Sequence, residues 1–216
     1  VGIPERWKSG LRGQEILQPL LQVLLDVRQP SRKAVGSAPR TSLSHPLRIA
    51  TLPLLRGRLG ITLCPGKKQQ AAVSGTWDRN LDIDLVAIRA WGATQLVTLI
   101  EDHEFDELDV RDLPSRAEAH GLRWHHLPIQ DQCAPDAGFE ALWQAALPVL
   151  EAALRSGEGV VVHYKGGLGR AGTIAARLLM TLGDQMEVGE SMRRVREVRR
   201  GAIESREQEL FLGRLA

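Results

Sequence analysis

From about residue 47 onward the chain alternates short apolar runs with stretches whose apolar positions recur every three or four residues. RIATLPL (48–54) and GRLGITL (57–63) predict strands, and NLDIDLVAIRAW (80–91) carries the apolar period of a helix. TQLVTLI (94–100) predicts a buried strand, residues 115–120 a short helix, and LRWHHLPI (122–129) another strand. AGFEALWQAALPVLEAAL (137–154) predicts a helix, VVVHY (160–164) a strand, and residues 170–182, 187–199 and 204–215 three further helices. Apolar strands separated by helices imply an α/β fold, with a central, mainly parallel sheet flanked by helices on both faces. The valine-rich run at 160–162 belongs at the centre of that sheet, and ligands of open α/β sheets collect beyond the carboxyl ends of such strands.

The first 46 residues follow a different pattern. Ile16, Leu17, Leu20, Leu21, Leu24 and Leu25 recur at helical spacing, with Pro19 limiting a helix to one that begins near it. RQPSRKAVGSAPRTSLSHP (28–46) has the Pro, Ser and Arg content of a linker. Residues 1–46 therefore read as a basic leader and linker, partly disordered or a short helix, and residues 47–216 as one domain. Charge sharpens this division, because residues 1–60 hold ten Lys/Arg against three Asp/Glu whereas the remainder holds 18 against 23. The basic residues of the leader are scattered rather than clustered, which favours a solvated tail over a nucleic-acid or anionic-surface contact. Arg193, Arg194, Arg196, Arg199 and Arg200 form a second basic run, read as helix-surface charge because no aromatic residues are interleaved to stack bases. No apolar run is long enough to span a membrane and the start lacks a secretory pattern, so a cytoplasmic protein without a membrane contact is expected. Cys64 and Cys133 are too few for a disulfide framework, and neither lies in a metal-type pair; neither metal nor cofactor is expected. The oligomeric state is not specified by the sequence.

The stretch GVVVHYKGGLGRAGTIAARLLM (159–180) reads as strand, glycine-rich turn and helix start. Gly167, Gly169 and Gly172 fit the dinucleotide fingerprint G-x-G-x-x-G in its local setting. That fingerprint also requires a second parallel strand ending in an acidic residue about 20 positions later, whereas the chain after Met180 is helical and charged. No Gly-Lys-Ser/Thr occurs, which excludes a nucleotide-triphosphate loop. A third reading uses more of the residues. Glycines within Lys165, Gly166, Gly167, Leu168 and Gly169 let the backbone curl so that successive N–H groups converge on one anion. Arg170 then stands at the helix start, where its fork and the positive helix end both favour a phosphoryl group.

His163-Tyr164-Lys165-Gly166-Gly167-Leu168-Gly169-Arg170 resembles the H-C-x5-R signature of cysteine-dependent protein tyrosine and dual-specificity phosphatases, with Tyr164 at the cysteine position. CPGKK (64–68), LIEDHEF (99–105), HHLPIQDQCAPD (125–136) and GAIES (201–205) fall in the order of the kinase-associated phosphatase branch and its bacterial relatives. The resemblance runs from about residue 47 to the C-terminus and implies a dual-specificity-phosphatase-like α/β domain acting on a phosphorylated protein or other phosphate monoester. In that family the cysteine attacks phosphorus to form a covalent thiol ester, the arginine binds the phosphoryl oxygens, and an aspartate on a mobile loop protonates the leaving oxygen. By resemblance Arg170 takes the arginine role and Asp131 the acid role. Glu101 or Asp102 is the expected partner of the Arg170 fork, the alternative being a loop carboxylate facing water. Gln208 corresponds to a water-positioning glutamine, although its flanking residues diverge. His163 is expected to orient the loop through hydrogen bonds. The residue after Arg170 is Ala171, where relatives often carry a hydroxyl, so Thr173 is the nearest hydroxyl for turnover.

Tyr164 changes the chemistry. A thiol in such a loop falls from a pKa of about 8.5 to roughly 3.5–7.5 and rests as the thiolate. A tyrosine, with a pKa near 10, is ionised in only about one molecule in a thousand at neutral pH. The sequence as written therefore predicts a catalytically impaired, phosphate-binding pseudophosphatase. The alternative is an ordinary cysteine-type phosphatase in which Tyr164 is an inactivating substitution or a sequence error. Cys64 and Cys133 lie in other loops and are not expected to replace the nucleophile.

Overall fold

The computed structural model describes residues 38–72, 75–166, 168–184 and 186–215. The expected leader helix, the linker as far as residue 37, and Gly167 of the glycine loop lie outside the described residues.

The chain first forms an antiparallel hairpin of β1 (Ala50–Leu54) and β2 (Gly57–Leu63), then a second hairpin of β3 (Lys68–Ala72) and β4 (Gly75–Asp78). There follow α1 (Leu81–Trp91), β5 (Ala93–Thr98), α2 (Asp102–Glu107), α3 (Leu113–Ala119) and β6 (Arg123–His126). The second half runs α4 (Ala137–Arg155), β7 (Gly159–Tyr164), α5 (Gly169–Leu182), α6 (Val188–Val198) and α7 (Arg206–Gly213). Five strands make the main sheet in the order β1-β2-β7-β5-β6, and only β1 runs antiparallel to its neighbour. The fold is thus the expected α/β class. β7 is central and buried along its whole length, with Val162 paired to Ile61 on one side and Val97 on the other. A strand covered on both faces has no need of polar alternation, which is why VVV reads as a continuous apolar run.

Local chemistry sets the element ends. The Asn80 side chain accepts the Ile83 N–H at the start of α1, and Gly92, at φ 100°, ends that helix in the left-handed region. Asp136 likewise caps α4 through the Phe139 N–H. α4 buries Phe139, Trp143, Leu150 and Leu154 and packs on β2, β5 and β7. Each side chain of that size stabilises the fold by roughly 2–3 kcal/mol on leaving water. α5 lies beside α4: Arg177 makes a two-pronged bond to Glu140 at 2.6 and 2.7 Å, and its guanidinium lies over the Trp143 ring. Among the described residues no helix is long and apolar enough to cross a membrane.

Three features depart from the sequence reading. The β3–β4 hairpin was not foreseen, because its partly polar strands, KQQAA and GTWD, show little apolar alternation. α2 is short and polar enough to pass for a loop. Residues 38–46, expected as linker, are tied to the folded body instead. Arg40 exchanges backbone hydrogen bonds with Thr76 and Asp78, and the Ser42 hydroxyl donates to the Asn80 carbonyl while accepting the Asn80 N–H.

Candidate active site

Tyr164 ends the central strand and Gly169 opens α5, so the intervening loop lies at the carboxyl edge of the sheet with the positive end of a helix beneath it. Two cations hold the outside of the loop. The Lys67 ammonium, in the turn after β2, donates to the Lys165 carbonyl at 3.1 Å, and the Arg199 guanidinium, after α6, donates to the Gly166 carbonyl at 3.1 Å. Burial, with the nearby Lys165 and Arg79 charges, pushes the Lys67 ammonium down to about 8. The Lys165 side chain turns away to pair with Glu107 at 2.9 Å, so this residue serves the loop through its backbone. Gly172 allows the 202–203 segment to rest on α5, because a Cβ there would stand 2.8 Å from that of Ala202.

At the start of the loop stands a phenol. The Tyr164 ring is buried, its hydroxyl donates to Glu204 Oε2 at 2.8 Å, and the Gly169 N–H points at the same carboxylate oxygen at 2.7 Å. The phenol oxygen is itself 3.4 Å from the Gly169 nitrogen. Burial first, and then the adjoining Glu204 charge, raise the phenol above its ordinary pKa. Arg170 packs against the same ring, with its guanidinium carbon 4.5 Å from the ring centroid.

The partner of Arg170 is Glu104, not Glu101 or Asp102. Arg170 Nη1 and Nη2 reach the two Glu104 oxygens at 2.6 and 2.8 Å, and both side chains are almost completely buried. Glu104 is the third residue of α2 and also accepts the Glu101 N–H at 2.9 Å, so helix capping aims it at the arginine. Burial pushes the Glu104 carboxyl upward, but the hydrogen bonds and charge of Arg170 outweigh it and hold the group below its usual pKa. Asp102 instead pairs with Arg111, while Glu101 accepts the Asp131 N–H at 3.3 Å and so braces the loop that carries Asp131. Asp131 is half-exposed and its Oδ1 lies 3.1 Å from Arg170 Nη2. Both terminal nitrogens of the fork are therefore occupied, whereas Arg170 Nε is buried with no partner among the described residues. A cavity of about 290 Å³, lined by Asp131, Gln132, Tyr164, Arg170, Glu204, Ser205 and Gln208, opens above these groups.

Three further residues singled out in the sequence have hydrogen-bond partners of their own. Thr173 donates to the Gly169 carbonyl at 2.9 Å, the back-bond of a helical threonine, and is buried there rather than turned to the loop. Gln208 completes the capping box of α7, its side-chain oxygen accepting the Ser205 N–H at 3.4 Å and also the Glu204 N–H at 2.9 Å, so it stands in the cavity wall with that oxygen committed. His163 does not hydrogen-bond the described part of the loop: its Nε2 lies 2.7 Å from the Thr98 hydroxyl, which also accepts from the Trp124 indole. Burial, with the charges of His126 and Arg170 nearby, pushes the His163 imidazole down to about 3. The unfolded chain therefore takes up a proton near pH 6.5 that the folded chain refuses, and stability present above that pH falls as the solution is acidified. The expected loss is about 2 kcal/mol between pH 6.5 and roughly 5, above the carboxylate range. Urea unfolding across that window, compared with His163→Gln, checks it: the variant should lack this share of the slope. Of the cysteines, Cys64 is buried and burial raises its thiol far above the usual range, while the Cys133 carbonyl accepts from Gln208 at the cavity wall. The basic run is largely committed to carboxylates and carbonyls: Arg193 and Arg194 pair with Glu190, and Arg196 with Glu209 and with the carbonyls of Ala202 and Ile203.

A glycine-rich loop running into a helix start at the carboxyl edge of a mainly parallel five-stranded sheet is the arrangement of the dual-specificity-phosphatase-like α/β domains. The chain belongs to the family described as "PTP-SAK: Swiss Army Knife protein, DSP-PTPase phosphatase domain", whose model matches residues 70–212. The cyclin-dependent kinase inhibitor 3 of Rattus norvegicus is 29% identical over 172 residues, which is 77% of this chain and 77% of that protein. The Homo sapiens protein of the same name is 27% identical over 172 residues, with the same coverage of both chains. Among solved structures, kinase associated phosphatase with serine substituted for its catalytic-site cysteine superposes with a TM-score of 0.69 at 25% identity, covering 83% of this chain and 96% of that one. Tk-PTP in its active form gives 0.57 at 27% identity, covering 74% of this chain and 91% of that one.

Proposed function

We propose that the protein is a pseudophosphatase: a phosphatase-fold module that receives the phosphoryl group of a phosphorylated protein or other phosphate monoester and does not hydrolyse it. The observation that carries this reading is the Tyr164 phenol at the nucleophile position, packed on Arg170 and hydrogen-bonded to Glu204. A displacement at phosphorus needs a short, ionised nucleophile at the centre of the amide cradle. Tyr164 is long, fills part of the space, and is held in its neutral form by burial and by the carboxylate beside it. Two neighbouring residues support the reading. Asp131 approaches Arg170 from a separate loop, and Arg170 is fixed by Glu104 and has one N–H without a partner among the described residues. That surviving constellation also favours a second reading, an ordinary phosphatase silenced by the single substitution at position 164.

Hydrolysis of an aryl phosphate by the unmodified protein is expected to equal that of its Arg170→Ala variant and of buffer. Turnover that Arg170→Ala abolishes would overturn the pseudophosphatase reading.

A further inference from the structure

The loop amide that a phosphoryl oxygen would use already has an anion on it, and that anion belongs to the protein. Glu204 Oε2 accepts the Gly169 N–H at 2.7 Å and the Tyr164 hydroxyl at 2.8 Å, at the start of a helix of 14 residues. The fit is close enough that a Cβ at Gly169 would stand 2.5 Å from the same oxygen. The segment that delivers Glu204 is held against its own preference. Ile203, a β-branched residue, sits at φ 61°, in the left-handed region such side chains avoid. It is fixed there by Arg196, which donates to the Ala202 and Ile203 carbonyls, by the Ile203 N–H to the Leu168 carbonyl at 3.4 Å, and by Gln208, which accepts the Glu204 N–H. Strain of this kind persists only where the surroundings enforce it. Arg170 Nε, on the side chain that packs on the Tyr164 ring, is buried without a partner among the described residues.

We propose that Glu204 is a tethered carboxylate occupying the oxyanion cradle, so that an external phosphoryl group enters only by displacing it. This rests on reading the loop as a phosphoryl site. Glu204 thereby sets the selectivity of the pocket: its carboxylate and that of Asp131 face any second anion, with Arg170 already matched by Glu104. Replacement by glutamine keeps the shape and an acceptor for the Gly169 and Tyr164 donors while removing the charge.

Tungstate and inorganic phosphate binding would be measured by calorimetry on the wild type, Glu204→Gln, Tyr164→Cys and Tyr164→Cys/Glu204→Gln, with thermal melting as the control for folding. Aryl-phosphate kinetics on the two cysteine variants provide a second readout. Glu204→Gln in the cysteine background should tighten oxyanion binding and lower KM at least tenfold, with a smaller change in kcat. Glu204→Ala serves as a further charge-free variant should the glutamine protein fold poorly. If Tyr164→Cys binds or turns over phosphate and loss of the Glu204 charge leaves Kd and KM unchanged, the tethered-anion role is wrong while the site stands. If no folded combination binds either oxyanion, the inference and the phosphoryl-site reading both fall.

Discussion

Tyr164→Cys is expected to confer aryl-phosphate hydrolysis, with turnover on the order of a thousandfold or more above the unmodified protein. The substitution replaces a neutral phenol by a thiol at the end of β7, next to the Gly169 amide, the amino end of α5 and the Arg170 guanidinium. Those are the surroundings that pull a thiol into its thiolate at neutral pH. Removing the ring also vacates the space above Arg170, whose fork remains fixed because Glu104, not Tyr164, holds it. In the cysteine background, Asp131→Asn should slow turnover about a hundredfold through loss of the proton donor, the scale typical of a positioned general acid. Steady-state rates on p-nitrophenyl phosphate decide the matter. A folded Tyr164→Cys protein without activity would remove the basis for the whole site assignment, including the second reading of Tyr164 as a silencing substitution.

Glu104→Ala is expected to destabilise the fold by about 3–5 kcal/mol, since it leaves the Arg170 charge buried without its partner. Arg170 is 1% exposed and Glu104 2%, so water cannot take the place of the missing carboxylate. Replacing the arginine as well, in Glu104→Ala/Arg170→Met, should return part of the loss, because an apolar side chain of similar length removes the stranded charge. Chemical denaturation of the wild type, both single variants and the double variant measures the coupling. A Glu104→Ala protein within about 1 kcal/mol of wild type would show that the pair does not carry the load assigned to it.

Much of this was legible in the sequence, for identifiable physical reasons. VVV at 160–162 announced a strand buried on both faces, and residues 137–154 showed a helical stripe strong enough to override Pro148. The loop from Tyr164 to Arg170 was legible because glycine spacing and an arginine at a helix start are local features. The partners of that loop were not. Glu104 stands 66 positions from Arg170, in a six-residue helix with no apolar period to mark it. The only local hint was its capping relation to Glu101, three residues earlier, and that pointed equally well to a structural role. Glu204 is 40 positions from Tyr164 and reaches it because the strained backbone at Ile203 turns it inward, a geometry with no signature in residue order. Gln208 was singled out by resemblance to a water-positioning glutamine, and the capping box that takes its oxygen was not read from the sequence.

The two arginines at the end of α6 and just beyond it have a mechanical consequence. Arg196 grips the backbone at 202–203 and Arg199 grips it at Gly166, from positions three residues apart. The glycine loop and the backbone just before Glu204 are thereby yoked to a single rod. The glycine loop at Gly166 and the segment that carries Glu204 therefore share one support, and neither can shift without breaking a bond to an arginine of that rod or adjusting the rod itself.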